Sequence, residues 1–265
     1  MRIVALASGS SGNALLVDAG ETRILVDCGL GPRILRAHLR AAGVHPETIS
    51  AVVVTHEHVD HVHGLGHAVK RWPWTIYASA GTIRALPEPV RARARVVQDR
   101  VRIGGLEVAV VPVAHDANEP IAVAVTDRAS GIRAGIAHDL GVPSQALARA
   151  FAGVHLLCVE ANHDLEMLRN GPYPWRLKER IAGERGHLSN AQCAAFMDAV
   201  SSAELRAVLL LHLSVVNNTP AVACAATRRG ITRRARRASL SAAVRRAPSA
   251  PIGEAAGVCQ LALAI

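Results

Sequence analysis

THEHVDHVHG, residues 55–64, places four histidines and two carboxylates within ten positions, directly behind the apolar run Ala51-Val52-Val53-Val54. A β-branched run that ends abruptly in polar side chains reads as a buried strand delivering the chain into a loop. His56, His58, Asp60 and His61 are spaced i, i+2, i+4, i+5, a pattern that no single helix or strand face aims at one point. A loop at a strand end can converge them. Imidazole and carboxylate together suit Zn²⁺, Mn²⁺ or Fe²⁺, and two such ions about 3.5–4 Å apart form a hydrolytic centre. Four candidate ligands within six residues weigh against a merely solvated polar loop.

The same signal recurs downstream. His115 follows the apolar run Val108-Ala109-Val110-Val111-Pro112-Val113, Asp139 follows the strand pattern of residues 132–137, and His212 follows Val208-Leu209-Leu210-Leu211. Each is the first or nearly the first polar residue after a buried strand, which is where sheets build their sites.

Periodicity extends the map. Strands are expected at residues 2–7, 15–19, 23–27, 51–55, 75–78, 107–113, 121–126, 132–137, 155–160 and 205–211. Helices are expected at 32–42, 65–71, 144–151, 175–182 and 191–201, the last opened by a capping box of Ser189 and Gln192. A further helix opens at Pro220, capped by Asn218 or Thr219, and stops at Gly230. There is no internal repeat, and the order of elements suggests two sheets in one domain with helices outside.

Composition limits the class. No apolar run approaches the ~20 residues of a membrane span, and the opening MRIVALASGSSGN turns polar too early for a secretory signal. A cytoplasmic protein without membrane partners is the expectation. Cys28, Cys158, Cys193, Cys224 and Cys259 are scattered with no CxxC pair, so neither a disulfide framework nor a thiolate zinc site is suggested. The formal charge is +9, and residues 205–253 hold nine arginines and no acid, so the whole excess sits near the C-terminus. Such a run either grips phosphate backbone or forms a solvated basic face.

HEHVDH with the three later positions resembles the metallo-β-lactamase superfamily of metal-dependent hydrolases. SGSSGNA, ILVDCG, AHDANEP, HDLG, EANHD, YPWRLKERIAGERGHLSN and LHLSVVNNTP are similar, in order, to segments of its YycJ/WalJ-like branch. The resemblance runs from residue 3 to about 220. It implies an α/β fold, an αββα sandwich of two mixed β-sheets flanked by helices. The hydrolase domain would be residues 1–220, with an arginine-rich C-terminal segment, 221–265, to which no structure is assigned.

The resemblance further implies two divalent metal ions, Zn or Mn, one held by His56, His58 and His115, the other by Asp60, His61 and His212, with Asp139 bridging. Asp60 and His187 are expected to carry the chemistry, His187 as proton donor to a leaving oxygen. Ser11, Asn13, His163 and Asn217 are expected to contact substrate, and Glu57 to point away from the ions. His138, where the branch usually has Thr, and the extra histidines His63 and His67 depart from the motif. The function implied is a binuclear-metal-dependent phosphodiesterase, a DNA exonuclease acting from 5′ ends, with nucleic acid as partner and DNA favoured over RNA. The alternatives are a hydrolase of a small phosphodiester or cyclic phosphate and a non-catalytic metal-binding signalling module. A strand at residues 258–265 is expected only if the C-terminal segment proves part of the core.

Overall fold

Hydrophobic alternation and turn residues organise fourteen strands among the described residues, 1–254 of the computed structural model. In chain order they are β1 Arg2–Ala7, β2 Ala14–Ala19, β3 Thr22–Val26, β4 Ile49–Val53, β5 Thr75–Ala78, β6 Ala94–Val96, β7 Arg100–Ile103, β8 Leu106–Pro112, β9 Ile121–Asp127, β10 Arg133–Ala137, β11 Leu156–Glu160, β12 Ala207–Leu211, β13 Ser239–Ala242 and β14 Ile252–Gly253. The helices are α1 Pro32–Ala41, α2 Val59–Val62, α3 Leu65–Ala68, α4 Ala80–Ala85, α5 Glu88–Arg91, α6 Gln145–Phe151, α7 Leu165–Asn170, α8 Trp175–Ala182, α9 Asn190–Val200 and α10 Pro220–Gly230. The expected strand at 258–265 and Cys259 lie outside the described residues.

Two mixed seven-stranded sheets form, ordered β14-β1-β2-β3-β4-β5-β6 and β13-β12-β11-β10-β9-β8-β7. They pack face to face through Ile3, Leu15, Val26 and Val53 from one and Leu106, Val123, Ile136 and Leu209 from the other. Alternation along each strand sends the remaining side chains outward. Val52 and Ile76 thus meet Leu35 and Leu39 of α1 and Leu65 of α3, while Leu157 and Val159 meet Phe151 of α6 and Phe196 and Met197 of α9. The result is the expected sandwich with helices on both outer faces. None of the described helices is long and apolar enough to cross a membrane.

Local chemistry sets the helix ends. Pro32 starts α1 and Leu35 and Leu39, four apart, give it one buried face. Ser189 and Gln192 form the expected capping box of α9, and Thr219, not Asn218, caps α10. Residues 221–254 of the segment set apart at 220 are built into both sheets: β13 pairs with β12 and β14 with β1.

Register then positions the site. β10, β11 and β12 run parallel with Ala137 opposite Val159 and Glu160 opposite Leu211, so Asp139, Glu160 and His212 emerge at one level. In the other sheet Val26 lies opposite Val53, which brings Asp27 beside Thr55.

Candidate metal centre

Six strand ends, those of β3, β4, β8, β10, β11 and β12, hand side chains to one rim. His56, His58, His115 and Asp139 each present one donor atom within 4.8 Å of one another; Asp60, His61, Asp139 and His212 do the same. Asp139 belongs to both groups. From its Oδ2, the Nε2 atoms of His61, His56 and His115 stand 3.3, 3.5 and 3.6 Å away. His212 Nδ1 is 3.4 Å from Oδ1. The Nε2 atoms of His212 and His61 lie 3.4 and 3.6 Å from Asp60 Oδ2. These gaps are long for hydrogen bonds. They match the edge of roughly 3.4 Å between two donors that each stand about 2.1 Å from a shared cation in a tetrahedral site.

The far side of four of the five rings fixes their tautomers. His61 Nδ1 donates to Asp27 Oδ2 at 2.7 Å, His115 Nδ1 to Gly186 O at 2.9 Å, and His58 Nε2 to Asp116 O at 3.2 Å. Thr55 Oγ1 spends its proton on Asp27 at 2.8 Å and so accepts from His56 Nδ1 at 3.0 Å. Each opposite nitrogen therefore turns a lone pair inward, the support that metal-ligating histidines use. His56 Nε2 and Asp139 Oδ1 are buried without a hydrogen-bond partner. Unpartnered buried polar atoms are rare, and here they aim at the space a cation would fill. The donors, all nitrogen and oxygen, fit divalent metal ions.

The charges at the rim divide the histidines: burial works against a charged His61, but Asp27 and Asp139 raise it to about 10, while His56 moves the other way. Burial, reinforced by the charge of His61, pushes His56 down to about 4, leaving a neutral imidazole. Burial works against the Asp60 carboxylate, but the neighbouring imidazoles of His212 and His61 hold it at about 2. Backbone strain is stored here as well. Asp27 and His212 sit at φ of 64° and 53°, a left-handed region that costs a non-glycine residue about 1–2 kcal/mol. Asp27 is held there by Thr55 N donating to its Oδ1 at 2.7 Å, and His212 by its own N–H donating to Ser8 Oγ at 2.7 Å.

His187 stands outside both groups yet against them. Its ring stacks on His212 at 5.1 Å and 15°, and its Nδ1 donates to Glu160 Oε1 at 2.7 Å. Burial lowers its proton affinity, and the Glu160 charge more than reverses this. Glu160 itself is fully buried and also accepts from Leu140 N and Leu188 N at 2.7 and 3.0 Å. A cleft of about 350 Å³ opens above, lined by His58, Asp60, Asp139, His187 and His212 on its floor and by Tyr173 and Arg180 of the α8 segment on one wall. Arg180 reaches Asp116 across the mouth, its Nε donating to Oδ2 at 2.8 Å.

The seven expected ligands and His187 therefore converge. The four expected substrate contacts do not line this cleft. Asn13 is buried beneath it, with Nδ2 donating to Asp60 Oδ2 at 3.0 Å. Ser11 Oγ accepts from Arg245 Nε at 3.0 Å outside it. His163 and Asn217 are 0% and 1% exposed, with no side-chain partner among the described residues. Ser10 and Asn162, adjacent to Ser11 and His163, line the cleft instead, as does Ser214; in a loop, spacing alone does not fix which of two adjacent side chains faces in. Glu57 points away, accepting from Asn118 N at 2.8 Å, and His63 and His67 are exposed. His138 is buried behind Asp139, its Nδ1 3.9 Å from Asp27 Oδ2 and without a hydrogen bond. Asp27 and Glu160 were not expected in the site. Asp27 follows the buried strand β3 and Glu160 closes the buried strand β11, the same strand-end signal that found His115.

The family model described as the metallo-beta-lactamase superfamily matches residues 7–136. Exodeoxyribonuclease YycJ of Bacillus anthracis is 35% identical over 219 residues, 80% of this chain and 82% of its own length. Exodeoxyribonuclease WalJ of Streptococcus pneumoniae is 33% identical over 223 residues, covering 80% and 81%. Among solved structures, the metallo-beta-lactamase fold protein YhfI from Bacillus subtilis superposes with a TM-score of 0.71 at 15% identity, covering 94% of this chain and 98% of that one. Identity of this order over four-fifths of both chains, on a shared two-sheet fold, means that the chain belongs to the metallo-β-lactamase superfamily of metal-dependent hydrolases and, within it, to the family of YycJ and WalJ.

Proposed function

We propose that the chain is a phosphodiesterase that uses two divalent ions to degrade DNA from its 5′ ends. His187 carries the reading: a histidine tied to a buried carboxylate stands over both donor groups while lining the cleft. An alkoxide leaving from phosphorus needs a proton, and a positioned imidazole supplies it. Glu160 accepts from Nδ1, so the proton that a leaving oxygen can take is the one on Nε2. In this reading His56, His58 and His115 would hold one ion and Asp60, His61 and His212 the other, with Asp139 shared between the two groups. The chemistry such ions supply is polarisation of a phosphoryl oxygen and activation of a water as nucleophile. The histidine-rich set favours Zn²⁺ or Mn²⁺ over Mg²⁺ or Ca²⁺. The remaining residues orient: Asn13 steadies Asp60, and Asp27 and Thr55 steady His61 and His56.

The relatives named exodeoxyribonucleases support DNA as the substrate. The test is the purified protein with each metal on 5′-labelled and 3′-labelled DNA and RNA strands, beside bis-p-nitrophenyl phosphate. Mononucleotides released first from the 5′ end of DNA are expected. Turnover of the small diester with intact DNA would replace this reading with that of a small-phosphodiester hydrolase.

A further inference from the structure

Away from the cleft, the described residues concentrate unpaired positive charge on one face of α1. Arg33, Arg36 and Arg40 stand at i, i+3 and i+7, α1 contains no acid, and with Arg71 they line a groove of about 310 Å³. Like charges at this spacing repel. Among the described residues no carboxylate forms an ion pair with any of the four. Glu47 is the nearby acid that feels Arg36. The neighbouring face of α1 continues the feature: Ile34 and His38 line a second groove of about 420 Å³ together with Ser11, Arg245 and Arg246. Arg245 is fastened to Ser11, and Ser10, the next residue, lines the catalytic cleft. A basic strip thus runs from the mouth of the cleft, past Arg245 and Arg246, onto α1 and Arg71.

We propose that this strip is a track for the sugar-phosphate backbone of the DNA strand whose end occupies the cleft. The inference rests on the reading of the chain as a nuclease. Guanidinium groups suit phosphate by fixed, paired donors. Neither groove is lined by tyrosine, phenylalanine or tryptophan, so the track grips backbone without stacking bases, which fits an enzyme that must move along any sequence. From Arg33 to Arg40 the helix rises about 10 Å, enough to follow a backbone past more than one phosphate.

The test is made in the full chain loaded with metal. R33Q/R36Q/R40Q/R71Q and its lysine counterpart R33K/R36K/R40K/R71K are compared with the parent. Fluorescence anisotropy of a labelled 30-nucleotide single-stranded DNA is followed from 50 to 200 mM salt, on a His187→Ala background so that the strand survives. Each phosphate contact contributes about 0.7 to the slope of log K against log salt for a single strand, so the glutamine variant should lose about 2–3 of that slope. The lysine variant should keep most of it, and both, with His187 intact, should hydrolyse bis-p-nitrophenyl phosphate at the parent rate. An unchanged slope in the glutamine variant overturns the track. Equal loss in the lysine variant would show that the helix and not its charge was disturbed, and overturns it too. A parent that binds DNA but never degrades it sinks the nuclease reading while the two slopes still decide the track.

Discussion

Two histidines at the rim have nearly parallel rings and opposite surroundings. His212 is buried and presents both nitrogens to carboxylates, Nδ1 to Asp139 and Nε2 to Asp60; His187 is tied on one side only and opens on the cleft. His187→Ala should therefore keep the metal content and lose about 100-fold or more of turnover where the leaving group is an alkoxide. With bis-p-nitrophenyl phosphate the loss should be much smaller, because p-nitrophenolate leaves without a proton. Equal losses on both substrates would make His187 a positioning residue. Asp139 is the other decisive position, since its two oxygens serve both donor groups. Asp139→Ala should lower the measured metal content at both sites, and retention of two ions per chain would refute the bridging role. Asp139 and His212 were legible because a polar side chain at the end of an apolar run needs no neighbour to explain it, whereas His187 was legible only through the family resemblance of its GHLSN segment. The supporting residues were harder to read: Asn13 and Asp27 matter through partners 47 and 34 residues or so away in sequence, and only the β3–β4 register and the loop after β1 bring them together.

At the scale of elements, the short turn α2 carries Asp60 and His61 and is clamped through its backbone as well as through those two side chains. Asn13 N donates to Asp60 O at 2.7 Å, Cys28 N to His61 O at 2.8 Å, and Gly64 N to Cys28 O at 2.8 Å. A Cβ on Gly29 would lie 1.7 Å from Asp60 O, a clash with backbone that no rotamer relieves. Gly29→Ala should thus push α2 out of place. Metal affinity is expected to fall at least 10-fold, the smaller effect reported when a ligand's supporting partner is lost, and isothermal titration would show it; an unchanged affinity would mean that the turn yields without moving its ligands. Elements were legible in proportion to their burial. The ten expected strands all appear, with ends displaced by at most two residues. The four that escaped, β6, β7, β13 and β14, are the four edges of the two sheets. Edge strands are short by need, and ARV, RVRI, SLSA and IG span two to four residues each, too few for the alternation they carry to stand out.

For the whole molecule, the C-terminal arginines look removable in sequence and are not in the fold. They alternate with side chains the core uses: Ala235, Ala238, Ala243 and Ile252 are 2–6% exposed, and Ser249 Oγ accepts from Ala5 N at 3.1 Å. Ending the chain after Gly230 removes β13 and β14 together and bares the edges of β12 and β1. β12 delivers His212, and β1 leads to Ser8, whose hydroxyl holds His212 in its strained backbone conformation. Burial of Ile252 alone is worth about 1.5–3 kcal/mol, set against a total stability of about 5–15 kcal/mol, and the ladder hydrogen bonds and three alanines go with it. The truncated chain should therefore lose its cooperative melt and its metal together, rather than only its grip on DNA. A truncated protein that melts cooperatively within a few degrees of the parent and hydrolyses bis-p-nitrophenyl phosphate at the parent rate would show that the two sheets close without these edges. The basic residues with a role in binding would then have to be sought on α1 and at Arg71, since Arg245 and Arg246 leave with the segment.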